Sequence, residues 1–188
     1  MFRREAAPLY GAAVCFGVSN AVYLTFAAQH VVDSGGLSAV PDGTAAAVIF
    51  IAYGLCGIVG LATGRIEARL GVGLLLGAIF AAFATSLMLI AAAPGMWASV
   101  IASAGLHGAA VMTISAVLSF WSLRLFPGRG SLGFTMALVG VAAGSVAGPA
   151  LVGAVANASG LETALALTAV APLLGATGFL GRASLRRA

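Results

Sequence analysis

Six apolar stretches, each near the roughly 20 residues a helix needs to cross the hydrocarbon core of a bilayer, take up most of this sequence. They run approximately over residues 8–29, 44–63, 72–92, 96–121, 131–156 and 161–181. Lipid offers no hydrogen bonds. A spanning segment must satisfy its own N–H and C=O groups, and a helix does so internally. The composition agrees: the chain is 61% hydrophobic and 7% charged, with a mean hydropathy of +1.10, where a soluble domain is about a quarter charged. A soluble domain of this size leaves roughly a third of its surface in water, too much for so few polar residues to cover. The expected fold is all-α, a polytopic membrane protein with six transmembrane helices in a single bundle over residues 1–188.

Turn residues stand at the breaks. Pro41-Asp42-Gly43 precedes the second stretch, Pro94-Gly95 the fourth and Pro127-Gly128 the fifth. Pro8 suits a first helical turn. Ser159 with Glu162 predicts a capping box that opens the last helix. Pro149 and Pro172 sit inside spans, and Pro149 predicts a kink.

The charges supply the topology. Arg3 and Arg4 precede the first stretch, Arg65 and Arg69 follow the second, Arg124 and Arg129 follow the fourth, and Arg182, Arg186 and Arg187 follow the sixth. With six crossings every Arg falls on one side, while Asp33, Asp42 and Glu162 fall on the other. The positive-inside rule then places both termini in the cytoplasm. A cleaved signal peptide at the first stretch is the alternative. That run is long for an h-region and lacks a clean cleavage site, but five helices would keep the same cytoplasmic loops. The Ala, Gly, Val and Arg bias fits a GC-rich bacterial genome, so the expected location is a bacterial inner membrane.

Several chemistries are excluded. The chain has no Lys, so no retinal Schiff base can form. No Gly-x-Ser-Gly nucleophile pairs with a His on another helix, and Gly144-Ser145-Val146-Ala147 does not fit that pattern. Paired intramembrane carboxylates, a His cluster and a phosphate-cradling Gly loop are all missing. Cys15 and Cys56 lie in apolar runs, where Cys acts as a small hydrophobe. No enzyme activity, cofactor or metal is expected. Nucleic acid is a poor partner, because the Arg residues come in twos and threes between long apolar runs.

Two motifs remain. Between the second and third stretches stands Gly64-Arg65-Ile66-Glu67-Ala68-Arg69-Leu70-Gly71, a short charged turn. In the fifth stretch Gly140, Gly144 and Gly148 make two small-xxx-small steps, a face that admits another backbone, followed by Pro149 and Gly153. The first resembles the signature loop of the major facilitator superfamily, close to Gly-Arg-x-x-Asp-Arg-x-Gly and then basic residues. Gly64, Arg65, Arg69 and Gly71 match. Ala68 stands where the family has Asp, with Glu67 beside it, and Val72-Gly73 replaces the basic pair. The Gly144-x-x-x-Gly148-Pro149 run is similar to the family's Gly-Pro helix motif. In the fourth stretch Ala104 and His107 replace the Arg and Gln of the family's Arg-x-x-Gln-Gly. The departures make the chain resemble a C-terminal half more than an N-terminal one.

The resemblance implies a half-transporter. Two six-helix bundles flank a cavity and rock about it, and in each half the first and fourth helices line that cavity. One bundle cannot enclose it. The chain starts with Met and ends in an Arg-rich tail, so it is expected to be complete and to pair, as a homodimer or with a separately encoded half. Mapped onto the first and fourth stretches, Asn20 and Tyr23 share a helix face beside Ser19. Ser99, Ser103 and His107 recur every four residues. The expected substrate-binding residues are Asn20, Tyr23, Ser103 and His107. His107, the ionisable group nearest the middle of a span, is either a functional, proton-titrating group or a neutral hydrogen-bonding partner of Asn20 or a backbone carbonyl. Phe16, Tyr23, Phe26 and Trp97 add aromatic surface for an apolar or amphipathic small solute. The competing reading is a non-transporting scaffold or accessory subunit, favoured by the missing Asp and Arg.

Overall fold

A computed structural model describes residues 6–38, 41 and 44–185, with side chains to Gly181. Arg3, Arg4, Asp42, Arg186, Arg187 and the Arg182 side chain lie outside the described residues. All regular structure among the described residues is helical. Six helices are long and apolar enough to cross a membrane. The first span is α1 (Ala7–Asp33). The second is α2 (Thr44–Gly57), carried through a 3-10 segment (Ile58–Ala62) into α3 (Thr63–Leu70). The third is α4 (Val72–Ala92), the fourth α5 (Trp97–Leu125) and the fifth α6 (Gly130–Ser159). The sixth combines α7 (Leu161–Thr168) and α8 (Val170–Leu185).

Two local expectations are corrected. The segment Gly64–Gly71 is not a turn between helices. It is the charged last part of the second rod, and the reversal falls on Gly71 alone, at φ 78°. Leu70 and Val72 belong to different helices because a positive φ, which glycine adopts at no steric cost, redirects the chain in one step. The capping box does not form. Ser159 donates back to the Val155 carbonyl at 3.0 Å, and Gly160, at φ 87°, both ends α6 and opens α7 without a side-chain cap. Glu162 stays in the first turn of α7, where the helix dipole favours a negative charge. The sixth span runs Leu161–Gly181 as expected, with a one-residue turn at Ala169. Pro172 has no N–H for the Thr168 carbonyl and its ring crowds that oxygen. Thr168 turns its hydroxyl onto the Ala164 carbonyl at 2.7 Å. Pro149, by contrast, lies inside the unbroken α6.

The glycines of α6 meet α1. A Cβ on Gly144 would strike the Val14 carbonyl oxygen, one on Gly148 would press on Val18, and one on Gly17 of α1 would strike the Val141 carbonyl oxygen. Both helices therefore carry missing side chains where their backbones touch, the small-residue packing that lipid-embedded helices use in place of a hydrophobic drive. The second span seats on α5 in the same manner, with Gly108 under the Tyr53 carbonyl and Gly60 against Met112. The core has two apolar layers. One holds Leu9, Phe16, Leu76, Phe80, Phe83, Ile114 and Leu118. The other holds Val22, Tyr23, Ile49, Leu87, Ile90, Val100 and Leu165. A polar cluster occupies the seam between them.

Candidate functional site at the centre of the bundle

His107 stands on α5 and is fully buried. The Tyr23 ring of α1 stacks on it at 3.9 Å between centroids, and Phe83 of α4 meets it edge-on at 4.9 Å. Its Nδ1 lies 3.0 Å from Ser86 Oγ of α4. Ser86 Oγ lies 3.3 Å from Ser103 Oγ of α5, and Ser103 donates its proton to the Ser86 carbonyl at 2.8 Å. With that proton committed, the 3.0 Å contact between Tyr23 and Ser103 has the tyrosine as donor.

Proton counting leaves two arrangements. Ser86 can donate to Nδ1, so that Nε2 carries the imidazole proton. Alternatively, Nδ1–H donates to Ser86, Ser86 donates to Ser103, and Nε2 presents a lone pair. In both, Nε2 has no partner among the described residues. A buried polar atom without a partner costs about 1–3 kcal/mol. Side-chain hydrogen bonds between membrane helices contribute on average only about 0.6 kcal/mol each. The contacts of this string and the orphan nitrogen roughly cancel. The cluster adds little net stability, and an intramembrane ionisable group such as His107 is by default a candidate functional residue.

Of the four residues expected to bind substrate, Tyr23, Ser103 and His107 come together. Asn20 is half-buried and accepts instead from Tyr53 of α2, at 3.1 Å. The expected bond between His107 and Asn20 is absent, because Tyr53 takes the Asn20 oxygen and sets its own ring 6.2 Å from the imidazole. Ser99 donates to the Leu89 carbonyl, so the polar face of α5 is directed at α4. Phe16 packs in the core beside Phe83. Trp97 holds the Ser38 carbonyl at 3.0 Å, at the end of the bundle opposite the arginines. There His30 of α1 contacts the Ala91 carbonyl at 3.3 Å.

Ser86 and Tyr53 were not expected from the sequence. The available signal was thin. Tyr53 is the one hydroxyl between Thr44 and Thr63, and Ser86 shares its span only with Thr85.

A second polar site lies at the charged end. Arg124, at the last turn of α5, grips Glu67 of α3 with both guanidinium nitrogens, at 2.6 and 3.1 Å. Both residues lie beyond the apolar parts of their helices. The Arg124 hydrogen bond, assisted by its charge, holds the Glu67 carboxyl below the ordinary carboxylate range and raises the guanidinium in return. The pair ties the end of the second span to the end of the fourth, on one face of the bundle. Among the described residues, no three of His, Cys, Asp and Glu come close enough to hold a metal, and both cysteines are free. Arg65, Arg69 and Gly71 lie exposed around the Glu67 pair.

A scan against protein-family models finds no match to this chain, and a search of curated proteins finds none either.

Proposed function

We propose that this chain is a half-size, major facilitator-like transporter of a small solute in a bacterial inner membrane, with both termini in the cytoplasm, working as a homodimer or with a second six-helix half. The buried imidazole carries the reading. His107 meets a string of hydroxyls drawn from the first, third and fourth spans through its Nδ1, while its Nε2 is unpartnered among the described residues, deep in an otherwise apolar bundle. A solute group or a proton engaging that nitrogen would recover the 1–3 kcal/mol an orphan costs. The uncharged surroundings favour a neutral or amphipathic solute. In support of pairing, the second and fifth spans are 17% and 11% buried, against 61% for the third and fourth. Those two helices have the most surface left for a partner. The Glu67–Arg124 pair supports the signature-loop resemblance, since Glu67, one residue before Ala68, provides the carboxylate the pattern calls for.

The test is reconstitution. Purified chain in nanodiscs is weighed for oligomeric state, and in liposomes it is assayed for uptake of radiolabelled neutral and amphipathic solutes across an imposed pH step. Dimer mass with flux is expected, and His107→Gln should abolish the pH dependence. An active monomer would overturn pairing. Unchanged pH dependence would leave His107 a packing role. Absence of flux, with firm co-purification of an unrelated membrane complex, would establish the scaffold reading, which the sparse polar lining favours.

A further inference from the structure

The two proton arrangements around His107 differ in what its Nε2 can bind. In the first, Ser86 donates to Nδ1 and Nε2 carries the imidazole proton. Tyr23 donates to Ser103 and Ser103 to the Ser86 carbonyl, so three contacts hold a proton. The fourth, between Ser86 Oγ and Ser103 Oγ at 3.3 Å, then sets two oxygens against each other with no proton between them. In the second, Nδ1–H donates to Ser86 and Ser86 donates to Ser103. Ser103 accepts from both Tyr23 and Ser86, within the two lone pairs of a hydroxyl, and all four contacts hold a proton. The second arrangement gains one hydrogen bond, a roughly threefold preference at the average strength of such bonds between membrane helices. It also leaves a bare lone pair on the buried Nε2, not an N–H. In protein interiors, backbone donors are left unpaired more rarely than backbone acceptors.

We infer that His107 is held as the Nδ1–H tautomer and that its Nε2 is the acceptor for a neutral solute bearing an O–H or N–H donor. Carbonyls, ethers and carboxylates bring no proton for that nitrogen. Charge narrows the class further. Asp33, Glu67 and Glu162, the carboxylates among the described residues, all lie toward the ends of spans, so an ammonium at Nε2 would be buried without a counter-charge. Tyr23, Tyr53 and Phe83 surround the imidazole, so the body that carries the donor is apolar. Ser86 is the positioning residue, because it takes the Nδ1 proton and so fixes which nitrogen is bare. That a solute reaches Nε2 rests on the transport reading; the tautomer does not.

The chain holds two histidines, so nitrogen NMR of the isotope-labelled full chain in nanodiscs reads the tautomer directly, with H30Q or H107Q to assign the signals. Nδ1 is expected in the protonated range and Nε2 in the bare range. Phenol and anisole, which share a ring and differ in the hydroxyl proton, are the probes. Phenol should shift the Nε2 signal saturably toward the hydrogen-bonded range, and anisole should leave it unmoved. Folded Ser86→Ala should lose the preference between the two nitrogens. A protonated Nε2 in the wild type, equal shifts from phenol and anisole, no shift from either, or a preference kept in folded Ser86→Ala would overturn the inference. Should that variant fail to fold, the wild type with the two probes decides. The phenol response is read without flux, so failure of transport and failure of this site are separate results.

Discussion

The two polar sites of this bundle differ in almost every physical respect. At the centre, His107, Tyr23, Ser86 and Ser103 are fully buried and carry no charge partner. At the rim, Glu67 and Arg124 are charged and bidentate, and the arginine side chain is 58% exposed. The rim pair is the stronger interaction on geometry, yet water and salt screen it. The central contacts are individually weak, yet nothing screens them and rearranging them means moving helices. A bundle of this kind keeps strong charge chemistry where water offsets its desolvation. It places only neutral hydrogen bonds where water is excluded.

The largest test of that contrast is Tyr23→Ala. It deletes the stacked ring and the donor to Ser103, opening a cavity between the two apolar layers. Stability should fall by about 3–5 kcal/mol, read by unfolding in mixed micelles. A loss below about 1 kcal/mol would mean that the centre is already loosely packed.

Glu67→Gln comes next, with an expected cost of no more than about 1 kcal/mol at low salt, fading at high salt. The acid dependence has a definite sign. Because Arg124 holds the Glu67 carboxyl below its unfolded value, the pair contributes fully above the ordinary carboxylate pKa. That contribution is lost as pH falls through the lowered, folded value. Glu67→Gln should therefore flatten this part of the acid limb. An acid limb identical to wild type would remove the pair from the account of stability.

The smallest expected change in stability belongs to His107→Leu. The substitution removes the orphan nitrogen, while Ser86 keeps Ser103 as a partner, so stability should stay within about 1 kcal/mol of wild type. Transport, on the proposed reading, should disappear. A loss of more than about 2 kcal/mol would make the imidazole a structural post and erase the difference between the two sites.

Hydropathy is a property each segment carries alone, and the six spans were readable for that reason. The third, expected at 72–92, is α4 to the residue. Helix ends were less legible. Thr63–Leu70 is polar enough to pass for a loop, yet it stays helical because Arg65, Glu67, Ala68, Arg69 and Leu70 are good helix formers and Gly71 alone breaks the rod. Ser159 has the right spacing for a cap, but Gly160 in a positive-φ conformation leaves it on the preceding helix. The polar face of α5 was visible as a four-residue rhythm. Its destination was not, since Ser86 lies 21 positions from His107 and Tyr53 lies 33 from Asn20.

By itself the sequence determined that six helical rods form, each long and apolar enough to cross a membrane. That follows from local composition and from the cost of unpaired backbone groups in hydrocarbon. Only the tertiary structure decided which backbones touch, that Arg124 holds Glu67, and that one nitrogen of His107 has no partner among the described residues. Those outcomes depend on the rotation and depth of each helix against its neighbours. In lipid, close contact between small residues sets both, and a single chain read in order carries no record of which glycine will meet which carbonyl.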